Sequence, residues 1–143
     1  MTTRIYDSNQ VQVAFAGVPA QGFADGDFLT ISHETDAFTS VVGTDGEVSR
    51  SKTNDRRATV EIILMSTSPT NDLFSAIHVA DLNSPGGAGV GAILVTDLNG
   101  TSLYTAGNAW IMKAPDVTYG REANERTWTL QVDKLIEFTG GNL

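Results

Sequence analysis

A mostly β fold is what the sequence predicts: a sandwich or partial barrel of about eight antiparallel strands with one α-helix. Three observations predict it. Period-two alternation of apolar and polar residues recurs along nearly the whole 143-residue chain. Turn-forming pairs, Asp45-Gly46 and Asn99-Gly100 above all, separate the alternating runs. Only the stretch after Ser66 changes to helical spacing.

Taken in order, "QVQVAFAG" places Val11, Val13 and Phe15 on one face, and Gly17 with Pro19 is expected to end that run. Phe28 to His33 and Ala37 to Val42 follow as strands joined by the polar Glu34, Thr35 and Asp36. Asp45-Gly46 predicts a type I′ turn, in which both central residues take positive φ. Ala58 to Ser66, "ATVEIILMS", is apolar on both faces except at Thr59 and Glu61, which predicts burial on both sides. Ser68 then caps a helix with Pro69 at its first position and Asp72 in its first turn. Leu73, Phe74, Ile77 and Ala80 form its inner face, and Asn83, Pro85 and Gly86 stop it. "GAILVTDLNGTSLYTAGNAWIMKA" reads as a hairpin turning at Asn99-Gly100, with a bulge near Gly107. "ERTWTLQVDKLIEF" closes the chain with Trp128, Leu130 and Val132 pointing inward. No repeat, linker or low-complexity segment divides residues 1–143, so one domain is expected.

Hydrophobic content of 41% with 18% charged residues is the composition of a folded globular chain. With no cysteine there is neither a disulfide framework nor a thiolate site. "MTTRIYDSNQ" lacks the apolar core of a signal peptide and no apolar run is long enough to span a membrane, so a soluble intracellular product is expected. The net charge of −8 is unevenly spread. Between Arg4 and Arg50 lie Asp7, Asp25, Asp27, Glu34, Asp36, Asp45 and Glu47 and no Lys or Arg, seven acids giving −7. Such a surface repels nucleic acid. Arg50, Lys52, Arg56 and Arg57, four of nine basic residues, are gathered immediately after it.

Weighed as sites, the other motifs carry little chemistry. "SPGGAGVGA" follows a helix and enters a strand, the reverse of a nucleotide loop, and reads as a flexible connector. Asp25, Asp27, His33, Glu34 and Asp36 lie close in sequence, but their spacing matches no calcium loop and turn chemistry accounts for them. His33 and His78 have no triad or metal-ligand neighbours in sequence. Asn99-Gly100-Thr101 fits a glycosylation pattern and reads as a hairpin turn. Phe28, Trp110 and Trp128 sit within strand patterns as core residues. Neither a catalytic site nor a metal or other cofactor is expected. The basic cluster itself can be a solvated loop, a DNA-binding loop diluted by Asp45, Glu47, Asp55 and Glu61, or an arm that meets the acidic surface of another copy.

The element order, an acidic strand pair, the hairpin "GTDGEVSRSKTNDRR", the strand "ATVEIIL", "STSPTNDLFSAI" opening a helix and a final long-strand pair, resembles the tail tube proteins of contractile-tailed bacteriophages. These are relatives in fold of the type VI secretion ring protein. The resemblance implies hexameric rings whose sheets join into one barrel around a lumen, stacked helically into a tube that conducts DNA without holding it. The implied partners are further copies of the chain, the sheath, the tape-measure protein and the baseplate, with no membrane, and the implied location is the virion tail after assembly in the host cytoplasm. Given that implication, Thr30, Ser32 and Glu34 on one strand face and Glu47, Ser49 and Ser51 on another are lumen candidates. Arg50, Lys52, Arg56 and Arg57 are candidates to meet Asp116, Glu122 and Glu125 of an adjacent subunit. A type VI-like ring and a small β-sandwich binding module of a virion are the alternatives.

Overall fold

The computed structural model describes residues 3–142. A 3-10 turn, Ser8–Gln10, leads into β1 (Val11–Phe15), which folds back through Ala16-Gly17 onto β2 (Val18–Pro19). Both turn residues have positive φ, 53° and 80°, the primed geometry whose twist matches that of the strands. The run thus ends at the Gly17 turn as expected, and Pro19 falls inside the next strand. It lies in β2 with its nitrogen turned away from β1, since Ala20 N–H supplies the next bond to Val13 C=O.

β3 (Leu29–His33), β4 (Phe38–Val42), β5 (Val48–Lys52) and β6 (Ala58–Met65) precede helix α1 (Thr70–Asn83). After it come β7 (Gly91–Asp97), β8 (Leu103–Lys113), β9 (Glu125–Val132) and β10 (Ile136–Phe138). An eight-stranded antiparallel sheet runs β2-β1-β7-β8-β9-β6-β3 with β10 pairing β8, while β4 and β5 form their own two-stranded sheet. The expected mostly β fold with one helix is what the chain adopts, with ten strands in place of about eight.

β6 is central, paired with β3 and β9, yet it is buried on one face only. Ala58, Val60, Ile62 and Leu64 are buried while Thr59, Glu61, Ile63 and Met65 are half-exposed, which corrects the expectation of two-sided burial. The inner faces of all the long strands meet one core, in which Val13, Phe15, Ile93, Val95, Leu130 and Val132 join those β6 residues. Phe74 brings the helix into this core. Its ring packs edge-on against Phe15 at 5.9 Å and Trp128 at 5.6 Å between centroids.

Ser68 caps the helix, its hydroxyl accepting Thr70 N–H at 3.2 Å, and Pro69 has helical φ and ψ as predicted. The inner face differs from the expected one. Thr70 and Phe74 are buried with Ile77, His78 and Asp81 half-buried, whereas Leu73 and Ala80 are exposed. The reason is the aromatic contact at Phe74: once its ring points inward, positions three, four and seven residues away follow, and Leu73 falls outside that stripe.

Two turns also differ in detail. At Asp45-Gly46 only Gly46 has positive φ, 89°, so the hairpin closes by a longer turn bonded from Gly43 N–H to Glu47 C=O at 2.7 Å. Asn99-Gly100 lies in a broader loop in which Asp97 accepts Asn99 N–H at 3.0 Å. The bulge near Gly107 is present, as the β7–β8 register shifts between Gly91 and Ile93. The glycine-rich connector is pinned rather than loose, because Asp81 Oδ1 accepts the amides of Ala88 and Gly89 at 2.9 and 3.1 Å.

Candidate assembly surfaces

The β3–β6 pair continues beyond the body of the sheet as the β4–β5 arm. Glu34 N–H bonds Arg57 C=O at 3.2 Å on the body side of a kink, and Thr53 N–H bonds Ala37 C=O at 2.8 Å on the arm side. Asn54, Asp55 and Arg56 face only Thr35 and Asp36 between those bonds, so one extra residue bends the pair. Asp55 closes the kink, accepting Arg57 Nε and Nη2 at 2.9 Å each and Arg57 N–H at 3.1 Å. The side-chain bonds from Arg57, then its backbone N–H, hold the Asp55 carboxyl below the usual aspartate range. Every residue of β4 and β5 is exposed, including Val41 at 69% and Val48 at 61%.

Cross-strand pairing sorts the arm into two faces. Phe38 opposes Lys52, Ser40 opposes Arg50 and Val42 opposes Val48 on one; Thr39 opposes Ser51 and Val41 opposes Ser49 on the other. The Arg50 guanidinium lies over the Phe38 ring at 4.2 Å. Arg50 and Lys52 thus share an apolar, basic face, opposite Ser49 and Ser51. Glu47 sits in the turn, its N–H bonded to Asp45. Arg57 is engaged inside the chain, so the four clustered basic residues do not form one patch.

On the body, the outer face of β3, β6 and β9 carries Thr30, Ser32, Thr59, Glu61, Thr127, Thr129 and Gln131. Thr59 donates its hydroxyl to Glu34 beside this face. No strand position on it is Lys or Arg. The β9 contribution escaped the sequence reading, although the alternation in "ERTWTLQV" contained the signal.

Asp116, Glu122 and Glu125 lie at the other end of the sheet. Glu125 pairs with Met65 and the preceding loop returns from Lys113, whereas the arm leaves beyond Ala58. About 25 Å of β6 separates the two ends. The loop is mixed in charge, since Lys113 reaches Asp116 at 3.8 Å and Arg121 precedes Glu122. Asp25 and Asp27 join this end, because Ala24 N–H bonds Ile63 C=O and Met65 N–H bonds Gly22 C=O. His33, Glu34 and Asp36 are instead at the arm base, so the acids close in sequence are divided in space. His33 pairs there with Glu137 at 2.9 Å, a contact 104 residues apart that no local pattern predicts. A groove of about 460 Å³ runs between the arm base and β10, lined in part by Phe38, Arg56, Ile136 and Glu137.

This fold, an open antiparallel body with one covering helix and a projecting arm, is shared with chains of contractile injection systems. It matches the sheath/tube terminator of the extracellular contractile injection system PVC at a TM-score of 0.63 and 15% identity, over 97% of this chain and 100% of that one. The tube-terminating cap of the anti-feeding prophage matches at a TM-score of 0.63 and 11% identity, over 97% and 94%. A chain of the PVC sheath–tube complex matches at 0.61 and 14%, over 92% and 90%. The particular family follows from the sequence. The chain belongs to the family described as the bacteriophage PhiTE tail tube protein, whose model matches residues 10–140. It is also 27% identical over 146 residues to structural protein ORF10 of Pseudomonas phage KPP10, covering 98% of this chain and 84% of that protein.

Proposed function

We propose that the chain assembles with copies of itself into hexameric rings that stack helically into the phage tail tube, and that the finished tube conducts genome DNA without binding it. The observation that carries this reading is the polarity of the molecule. An arm with one basic, apolar face (Arg50, Lys52, with Arg56 at its base) leaves one end of the sheet, carboxylates (Asp25, Asp27, Asp116, Glu122, Glu125) outnumber Lys113 and Arg121 at the other, and between them β3, β6 and β9 present a face without cations. A head-to-tail contact between unlike ends does not close on itself along the stacking direction and so propagates. Thr30, Ser32, Glu34, Glu47, Ser49 and Ser51 line the lumen in this proposal, joined by Glu61, Thr127, Thr129 and Gln131. These hydroxyls, amides and carboxylates, with the apolar Ile63 and Met65 among them, offer no counterion-releasing contact to phosphate, and Lys113, opposite Thr129, is turned to Asp116, so DNA slides past. The sheath encloses the tube, the tape-measure protein occupies it during assembly in the host cytoplasm, and the baseplate closes its end in the virion. The role is structural rather than enzymatic. Negative-stain electron microscopy of the purified chain at increasing concentration tests the reading: rings and tubes are expected, and a chain that stays monomeric overturns it.

A further inference from the structure

The two ends of the eight-stranded sheet's strand order differ in what they offer another strand. At one end β2 is two residues long and Pro19 presents no outward N–H. At the other end β3 stands open. The Ile63 N–H to Phe28 and Glu34 N–H to Arg57 bonds assign the even-numbered residues of β3 to its ladder with β6. Leu29, Ile31 and His33 therefore aim their N–H and C=O groups away from the sheet. β5 has the matching property. The Thr53 to Ala37 and Gly43 to Glu47 bonds assign odd-numbered residues to the arm's own ladder, leaving Val48, Arg50 and Lys52 with outward backbone groups. None of these six residues has another backbone partner among the described residues.

We propose that β5 of one copy pairs antiparallel with the open edge of β3 in the next copy, an inference that rests on the tube-subunit reading and names the contact that joins successive copies. Direction permits it. β5 continues into β6 and β3 runs antiparallel to β6, so two copies in the same orientation, displaced along the arm, bring β5 and β3 together antiparallel. Space requires the displacement. Side by side at one level, the body of the neighbour would have to occupy the place that β9 fills beside β6. The step from the middle of β4 at Ser40 to the middle of β3 at Ile31 is about 30 Å, the reach of the arm.

Parity supplies an independent argument. Residues that exchange backbone bonds in an antiparallel pair stand opposite each other with side chains on one face. Val48, Arg50 and Lys52 must then fall on the side of Leu29 and Ile31. Glu47, Ser49 and Ser51 fall on the side of Thr30 and Ser32, so the hydroxyl face of the body runs on across the junction and the cations stay off it. A slip of one residue would bring outward groups opposite inward ones and lose the ladder.

The chain has no cysteine, which makes the test clean. In the centred register Ser49 opposes Ser32 at a Cα spacing of about 4.5 Å, within disulfide reach. Oxidising tubes co-assembled from S32C and S49C proteins is expected to give a covalent dimer that neither variant gives alone; a register displaced by two residues moves the link to S51C. Val48→Pro removes an outward N–H and leaves the arm's own ladder intact, so it is expected to abolish tubes while circular dichroism stays as in the parent. Tubes co-assembled from S32C with S49C or S51C that give no link, a link within S32C alone, or normal tubes from Val48→Pro overturn the pairing and leave the tube reading standing. A parent chain that never assembles overturns both.

Discussion

The guanidinium carbon of Arg50 rests 4.2 Å from the centre of the Phe38 ring, on a hairpin whose strand residues are all exposed. An exposed cation over an aromatic face contributes about 0.5–1 kcal/mol, too little to hold the domain together. It is enough to orient one side chain. Phe38→Leu is therefore expected to remove the ring-current shift of the Arg50 side-chain protons in an NMR spectrum, while global stability stays within about 0.5 kcal/mol of the parent.

The helix is tied to the sheet by one amide. Asn71 accepts the Trp128 indole N–H at 2.9 Å and donates to Met65 C=O at 2.9 Å, so it spans α1, β9 and the end of β6. Asn71→Ala leaves the Trp128 indole N–H partly buried and unmatched, while Met65 C=O keeps the Ser68 N–H at 2.9 Å, and is expected to cost about 1–3 kcal/mol. Phe74→Ala empties the centre of the aromatic stack and is expected to cost about 3–5 kcal/mol. Guanidinium titration followed by tryptophan fluorescence measures both; an Asn71→Ala loss as large as that of Phe74→Ala would show that the amide, not the ring, anchors the helix.

The strands were legible because burial here is one-sided, and one-sided burial writes a period of two. β1, β6 and β9 follow it residue by residue, and the Ser68-Pro69 helix start was legible because Ser68 takes an amide two residues on, a local contact. What the sequence hid is long-range. The position of Leu73 depends on which way Phe74 turns to meet Phe15 and Trp128, and the His33–Glu137 pair depends on β10 folding beside the arm base. The arm was recognisable as a basic loop between strands. That its basic residues divide between two faces and a kink follows only from the register of β4 on β5 and the extra residue near Asp55.

Asp81 explains a glycine. A Cβ at Gly89 would lie 2.6 Å from the Asp81 Cβ, and the carboxylate takes the amides of Ala88 and Gly89. Gly89→Ala is expected to destabilise by about 1–3 kcal/mol, as overpacking does. In the Asp81→Gly background the same change costs less, because the obstructing Cβ is gone, so a double-mutant cycle by thermal unfolding is expected to show strong non-additivity.

Asp55 gives the arm base a pH dependence of known sign. Its folded-state pKa is lowered by Arg57, so the contribution of the pair is present above the ordinary aspartate range and is lost as pH falls through the lowered midpoint. Carbon-detected NMR titration is expected to place Asp55 below the ordinary aspartate range, with Arg57→Gln returning it to that range. A titration midpoint that does not move in Arg57→Gln would remove the ion pair from the account of the kink.

Arg57 also separates two effects in the arm's charge. Reversing Arg50, Lys52 and Arg56 to Glu changes exposed cations and keeps the Asp55–Arg57 kink, so folding stability is expected to stay within about 0.5 kcal/mol. Tube growth, followed by light scattering and electron microscopy, is expected to stop, because the reversed arm now meets carboxylates at the far end of the next copy. Raising salt is expected to slow growth of the parent for the same reason, since screening weakens contacts between exposed charges. Arg57→Glu is a different lesion: it sets two carboxylates at the kink and is expected to splay the arm even where the other cations remain. Normal tubes from the triple reversal would mean that the arm joins copies through its backbone edge and valines, with its charges as bystanders.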